Sequence, residues 1–335
     1  MSTIHTVAAL AGVSSATVSR VMNDPHKVRE ATRLKVEAAM RELDFSRNSF
    51  AASLASRRSE CVGLVVPHLS GAFFAPLVNE VEEAVSAVGS YLIVTCGKNS
   101  VDEVANGLQF LRQRRCDAII LYPGQLSDQA LAEMLRHNPH MVVIHRTVPG
   151  FEARCVQLDN RTGGQLAAEY LLRCGHRDIG VIAGPRTNPE STQRLEAFRN
   201  TLQAAGHPLP PERVSEGDFH FASGSTCMAE LRARQPGLSA VFCLNDQMAF
   251  GALNDCRAAG IAVPTGLSLI GFDDVEYADL IHPRLTTVRH PVAELARTAA
   301  QLALRLAAGE ELTEPQRLLE PTLVVRDSVQ TLPST

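Results

Sequence analysis

The chain has 335 residues, 45% of them hydrophobic, with 32 Lys/Arg against 36 Asp/Glu and a net charge of −4. That length is too great for one small domain, and that charge excludes a protein that coats nucleic acid indiscriminately. No apolar run approaches membrane-spanning length and the N-terminus carries no signal-peptide pattern, so a cytoplasmic chain with no membrane partner is expected.

The first stretch, TIHTVAALAGVSSATVSRVMN over residues 3–23, reads as a helix-turn-helix. A helix over Ile4 to Ala11 offers Val7, Leu10 and Ala11 to a core. Gly12 supplies the turn, and Ser14 is placed to cap the next helix. Drawn at about 100° per residue from Ser15, that helix gathers Val18, Val21 and Met22 in one arc, with Thr17 at its edge. Ser15, Ala16, Ser19, Arg20 and Asn23 fill the opposite arc. Small side chains let a helix approach base edges closely, and one guanidinium can grip guanine O6 and N7 together. A third helix at about Glu30 to Leu43, with Leu34, Ala38 and Leu43 on one face, closes a three-helix headpiece over 1–45.

Residues 46–60 differ: rich in Ser and Ala and poor in large apolar groups, they fold only against a partner. The first 60 residues hold nine Lys/Arg against six Asp/Glu, whereas the remainder holds 23 against 30, a locally basic end on an acidic body. Eight scattered cysteines form no C-x-x-C pair and no cluster at metal spacing, so reduced, mostly buried thiols and no metal are expected.

From Cys61 onward, short apolar runs alternate with amphipathic helical patterns. CVGLVVP, YLIVTC, DAIILYP and MVVIH read as one series of parallel strands, and IGVIAG, SAVFCLN and LSLIGF as a second. Helices are expected at 74–89, 101–115, 163–174, 190–205, 223–234 and 246–259. Repeated βα units in two series imply an α/β body of two doubly wound lobes, with ligands bound outside the carboxyl ends of the strands. The expected division is lobe 1 over 61–159 and 291–319, and lobe 2 over 160–290 and 320–330.

Taken together, VAALAGVSSATVSRVMN, TRLKVEAAMRELDF, the frame from Asn48 to Ala55, LNDQMAFGAL, LIGFDD and PRLTTVR make the chain resemble the lactose/galactose repressor family over essentially its whole length. RCDAIILYP, PGFEARCVQLDN and PTLVVRDSV are most similar to galactose-type repressors. The resemblance implies a body with the fold of periplasmic sugar-binding proteins and a homodimer on a pseudo-palindromic operator. It places Ser15, Ala16 and Arg20 at base-reading positions, and Ser14, Thr17, Ser19, Asn23 and Thr32 at phosphates. Asn48 and Leu54 belong to a hinge that becomes helical on DNA, Leu54 wedging into the minor groove; the plainer reading of Leu54 is a lone apolar residue.

For the effector the resemblance implies Phe73, Phe74, Arg146, Arg194, Phe219, Asn245, Asp273 and His290. Arg, Asn and Asp address adjacent hydroxyls in pairs, and an aromatic ring covers the C–H face of a sugar. Duller roles stay open: Phe73 and Phe74 as core, Asn245 as a helix cap, Asp273-Asp274 as a turn, Arg194 on a solvated face.

Four departures from the family pattern stand out. Arg47 replaces a common Pro, Arg29 replaces a serine cap so that the third helix starts late or frays, and Gly71-Ala72 removes a hydroxyl before Phe73. The chain ends without a leucine-heptad tail, which favours a dimer over a tetramer. The expected function is a sugar-released repressor needing no cofactor. The alternatives are a corepressor-dependent regulator, a transport-type binding protein or a sugar-active enzyme, and no nucleophile elbow, phosphate loop or dinucleotide fingerprint supports the last.

Overall fold

Capping chemistry sets the bounds of the first helices. Thr3 and Thr6 exchange side-chain and backbone hydrogen bonds at the start of α1 (Ile4–Ala11), and Gly12 ends it at φ +65°, a conformation that favours glycine. Ser14 Oγ accepts from the Thr17 backbone N–H at 3.2 Å to open α2 (Ser15–Asn23). The computed structural model describes residues 3–45, 58–313 and 317–333, and the chain divides into two units, Met1–Ser59 and Glu60–Thr335. Arg47, Asn48 and Leu54 lie outside the described residues.

The third helix, α3 (Glu30–Glu42), begins on schedule although Arg29 gives it no side-chain cap. The backbone oxygen of Arg29 accepts from Thr32 and Arg33 instead, so the missing serine does not delay the helix. Val7, Ala8, Val18, Val21, Val36 and Ala39 form the small core, joined by Met22, Met40 and Leu43. Three expected core residues turn outward: Leu10 is 46% exposed, Leu34 is 50% exposed and Ala38 is exposed. The 36/39/40/43 set has the i, i+3, i+4, i+7 spacing of one face, and Leu34 and Ala38 lie off it.

In the second unit the βα alternation continues as β1 (Cys61–Val66), α4 (Phe74–Ser86), β2 (Tyr91–Cys96), α5 (Val101–Gln113), β3 (Ala118–Leu121), α6 (Asp128–His137), β4 (Met141–Ile144) and β5 (Cys155–Leu158). A second series follows: α7 (Asn160–Arg173), β6 (Ile179–Ala183), α8 (Pro189–Ala204), β7 (Val214–Glu216), α9 (Phe221–Arg234), β8 (Ala240–Cys243), α10 (Asp246–Ala258), β9 (Ser268–Asp273), the short α11 (Tyr277–Leu280) and β10 (Thr286–Arg289). Then come α12 (Val292–Ala307), β11 (Arg317–Leu319) and β12 (Thr322–Val324).

Among the described residues these strands make two six-stranded sheets, ordered β2-β1-β3-β4-β5-β11 and β7-β6-β8-β9-β10-β12. Only the β10–β12 pair is antiparallel. The chain passes between lobes after β5, after β10 and between β11 and β12. Side chains of β1 alternate: Val62, Leu64 and Val66 pack under α4 and α12, whereas Val65 faces α5 and α6. The strands expected from apolar runs are all present. The others were hidden because they are short (β5, β7, β11, β12) or, like Thr286–Arg289, polar in composition.

Helices α9 and α10 meet at two glycines. A Cβ on Gly224 would overlap the backbone of Met248, and one on Gly251 would overlap the backbone oxygen of Phe221. An alanine inside a helix normally stabilises by roughly 0.4–1 kcal/mol through the unfolded chain. Here the backbones cannot yield without separating the helices. Gly251→Ala is therefore expected to destabilise by about 1–3 kcal/mol in urea unfolding, and a gain in stability would contradict this packing.

Candidate functional site

On α2 the hydrophobic face is used up by the headpiece core: Val18 and Val21 are buried, while Ala16 and Arg20 are exposed. Ser14 Oγ and Thr17 Oγ1 lie 2.9 Å apart and share a hydrogen bond. Ser15 Oγ lies 3.1 Å from Nδ1 of His5, which brings an exposed imidazole from α1 beside the start of α2. Sequence reasoning passed over His5, whose only signal is its place one helix before the turn. Thr32 stands in the first turn of α3, and Asn23 closes α2.

In the body, the parallel order sends the carboxyl ends of both sheets to one cleft. A cavity of about 270 Å³ opens there. His68 follows β1, Asn99 follows β2, Tyr122 follows β3, Pro185 follows β6, Asp218 and Phe219 follow β7, Asn245 follows β8, and Asp273 ends β9; all line it. Six of the eight expected effector residues (Phe73, Phe74, Arg194, Phe219, Asn245 and Asp273) are in this lining.

Each is held in a definite pose. The Arg194 guanidinium lies 3.6 Å over the Phe272 ring, donates from Nε to Asn160 Oδ1 and from Nη1 to the Leu244 carbonyl, and is 3.8 Å from Asp273 Oδ1. It is a buried, oriented group rather than a solvated helix face. Asn245 does two jobs: its Oδ1 accepts from Met248 N–H to cap α10, and its Nδ2 donates to the Phe219 carbonyl. That second bond anchors Phe219 at φ +71°, and Gly184 leaves room for the ring, which a Cβ there would strike. Gly71, at φ +97°, faces Gln247 so closely that a Cβ would come within 2.9 Å of the amide nitrogen. The lost hydroxyl at that position accompanies a close approach of the two lobes.

Two expected effector residues are placed elsewhere. Arg146 turns back on its own lobe, donating to Asp128, to the Leu126 carbonyl and to the Gly124 carbonyl. It props the loop after β3 from behind. His290 is buried beside Phe73 and His145, with ring centroids 5.4 and 4.9 Å away. Burial, with His145 and Arg194 nearby, pushes its imidazole well below the ordinary value.

Comparison with known proteins agrees with this geometry. Residues 3–48 match "Bacterial regulatory proteins, lacI family", and residues 168–329 match "Periplasmic binding protein-like domain". The HTH-type transcriptional regulator GalR of Escherichia coli (strain K12) is 40% identical over 331 residues, covering 99% of this chain and 96% of the relative. The chain belongs to the lacI family of bacterial regulatory proteins. The HTH-type transcriptional repressor CytR of Escherichia coli (strain K12) is 32% identical, with coverage of 99% and 97%. Among solved structures, the lac repressor dimer bound to operator and the anti-inducer ONPF has a TM-score of 0.89 at 27% identity, covering 98% of this chain and 99% of that one. A transcriptional regulator CelR–cellobiose complex has a TM-score of 0.73 at 35% identity, covering 98% and 100%. This lacI-family chain is thus a DNA-binding transcriptional regulator and not an enzyme.

The lining residues of this lacI-family cavity that escaped the sequence reading include Tyr122, Glu190 and Gln247, besides His68, Asn99 and Asp218. Glu190 stands four residues before Arg194 on α8, so the i, i+4 spacing puts both on one face, a signal available in advance.

Asp273 ends its strand at φ +113°, and its carboxyl is pushed up to about 7 by burial, opposed by Arg194 and reinforced by Glu190. Its folded value lies above the ordinary one, so the folded chain holds a proton that the unfolded chain releases. The stability this supplies is full at acid pH and is lost as pH rises to about 7. In urea unfolding of the full chain, the stability difference between wild type and Asp273→Asn is expected to change between about pH 4 and 7 and to level off by about pH 8. A pH-independent difference would contradict the assignment.

Proposed function

We propose that this regulator is a repressor of sugar-utilisation genes that grips a pseudo-palindromic operator as a homodimer and releases it when a small sugar, galactose or a related glycoside, enters the cavity. The observation that carries this reading is the cavity lining. Phenyl rings stand beside Arg194, Asn245 and Asp273, which is the combination that a polyol with one apolar face requires. About 270 Å³ suits a monosaccharide-sized ligand better than a nucleotide cofactor. The resemblance to galactose-type repressors and the cellobiose-bound neighbour support a sugar, and the operator-bound lac repressor dimer supports the symmetry.

On the headpiece, Ser15, Ala16 and Arg20 would read bases, while Ser14, Thr17, Ser19, Asn23 and Thr32 meet phosphates. The hinge carrying Asn48 and Leu54 would fold on DNA, Leu54 opening a base step. Exposed apolar side chains on both lobes (Val88, Tyr91, Phe110, Phe221, Tyr277 and Leu280) provide surface for a second copy to cover. An effector that changes the lobe angle shifts the spacing of the two hinges, and a few kcal/mol of coupling is enough to change operator occupancy strongly.

Selection of bound DNA from a random pool is expected to return a palindrome, and anisotropy titration on it to weaken when D-galactose is added. Unchanged affinity would exclude galactose, and tightening would make the ligand a corepressor. Arg20→Ala is expected to cost about 1–3 kcal/mol and to relax preference at one base position. Uniform weakening on all sequences would make Arg20 a phosphate contact. Leu54→Ala is expected to weaken operator binding while sugar binding by the body stays intact, and equal loss of both would contradict the hinge role.

A further inference from the structure

Glu190 connects the two lobes beneath the cavity. It is the second residue of α8, in the lobe built on β6 to β10, yet both its oxygens face the other lobe. Oε1 lies 2.7 Å from Nδ1 of His145, the residue after β4. Oε2 accepts from the Tyr122 hydroxyl at 3.2 Å, just after β3. The His145 side chain is 2% exposed and that of Glu190 is 12% exposed, so the contact is shielded from water.

His145 sits in a specialised setting. Its backbone is left-handed at φ +62°, a conformation a non-glycine residue keeps only when its surroundings impose it. Its ring packs against Phe73, Tyr122 and His290, at centroid distances of 5.7, 4.6 and 4.9 Å. His290 in turn lies on the segment that passes from β10 to α12, one of the three crossings between lobes, and neither of its ring nitrogens has a hydrogen-bond partner among the described residues. A polar contact across the cleft is thereby packed against one of the crossing segments. Although burial pushes the Glu190 carboxyl up, His145, Arg194 and Tyr122 outweigh it and hold the group below the usual carboxylate range.

We propose that Glu190, His145 and Tyr122 form a latch between the lobes, which holds the cleft in this arrangement and whose release frees the three crossing segments. Glu190 and His145 are positioning residues in this device. The proposal depends on the two-lobed fold and not on which effector fills the cavity. Opening the cleft would return both polar groups to water. Removing one partner with the cleft closed leaves the other desolvated, which drives the lobes apart.

Hydrogen–deuterium exchange of the full-length protein tests the latch through the crossing segments 158–160, 289–292 and 319–322. Amides there are held by Asp159 N–H to the Leu319 carbonyl and His290 N–H to the Asp273 carbonyl. Glu190→Gln and His145→Asn are each expected to speed exchange in these segments at least about tenfold. The double variant is expected to add nothing to the larger single effect, because both substitutions break one device. Tyr122→Phe, which deletes one hydroxyl and keeps the ring, is expected to give a smaller increase in the same segments. Strands at 179–183 and 240–243, inside one lobe, are expected to exchange as in wild type, which separates opening from misfolding. Unchanged exchange at the crossings in both single variants, or additive increases in the double, overturns the latch. General acceleration across the chain with Tyr122→Phe silent overturns it too. Calorimetry with D-galactose on the wild type is read separately: absence of heat strikes the effector reading and leaves the exchange result standing.

Discussion

Parallel strands leave their carboxyl ends, and the loops that follow them, at one edge of a sheet, and in this body two such edges face each other. Nearly every polar group of interest descends from that constraint. The loops after β1, β2, β3, β6, β7 and β8 and the end of β9 converge on one cavity although they are spread across more than two hundred residues of sequence. The same order in both sheets makes the lobes near-repeats in topology without any repeat in sequence.

Gathering charge in so enclosed a space requires close compensation. Arg194 rests on the Phe272 ring, Asn160 and a backbone carbonyl, so its orientation is fixed before any ligand arrives. Asp246, fully buried behind the cavity, is pushed well above the usual carboxylate range by burial and by Asp273. It accepts from Thr287 and from the Val275 backbone, tying the turn after β9 to β10. Asp273 and Glu190 complete a set in which each group alters the charge state of the next. Through Glu190 and His145 the same set reaches from one lobe to the other.

The headpiece solves the opposite problem, since it must stay small and still present a surface. Its core is made almost entirely from Val and Ala, and this leaves the outer arc of α2 free for short side chains and Arg20. Ser14 serves the fold as a cap, and its hydroxyl is already shared with Thr17. His5 completes the face from a neighbouring helix.

What the amino-acid order determined was periodic and local. The helix-turn-helix, the two βα series, the Ser14 and Asn245 caps and six of the eight expected cavity residues were legible because each rests on spacing, strand ends or a family motif. Tertiary structure alone decided the rest. Leu10, Leu34 and Ala38 face outward because helix packing, not hydrophobicity, chooses the buried face. Arg146 and His290 miss the lining because one guanidinium finds carbonyls in its own lobe and one imidazole is walled in by rings. Glu190 meets His145 and Tyr122 only because two sheets bring their edges together, and burial gives such a meeting its energetic weight. Distances between residues far apart in sequence, and the water excluded between them, exist only once the chain has folded.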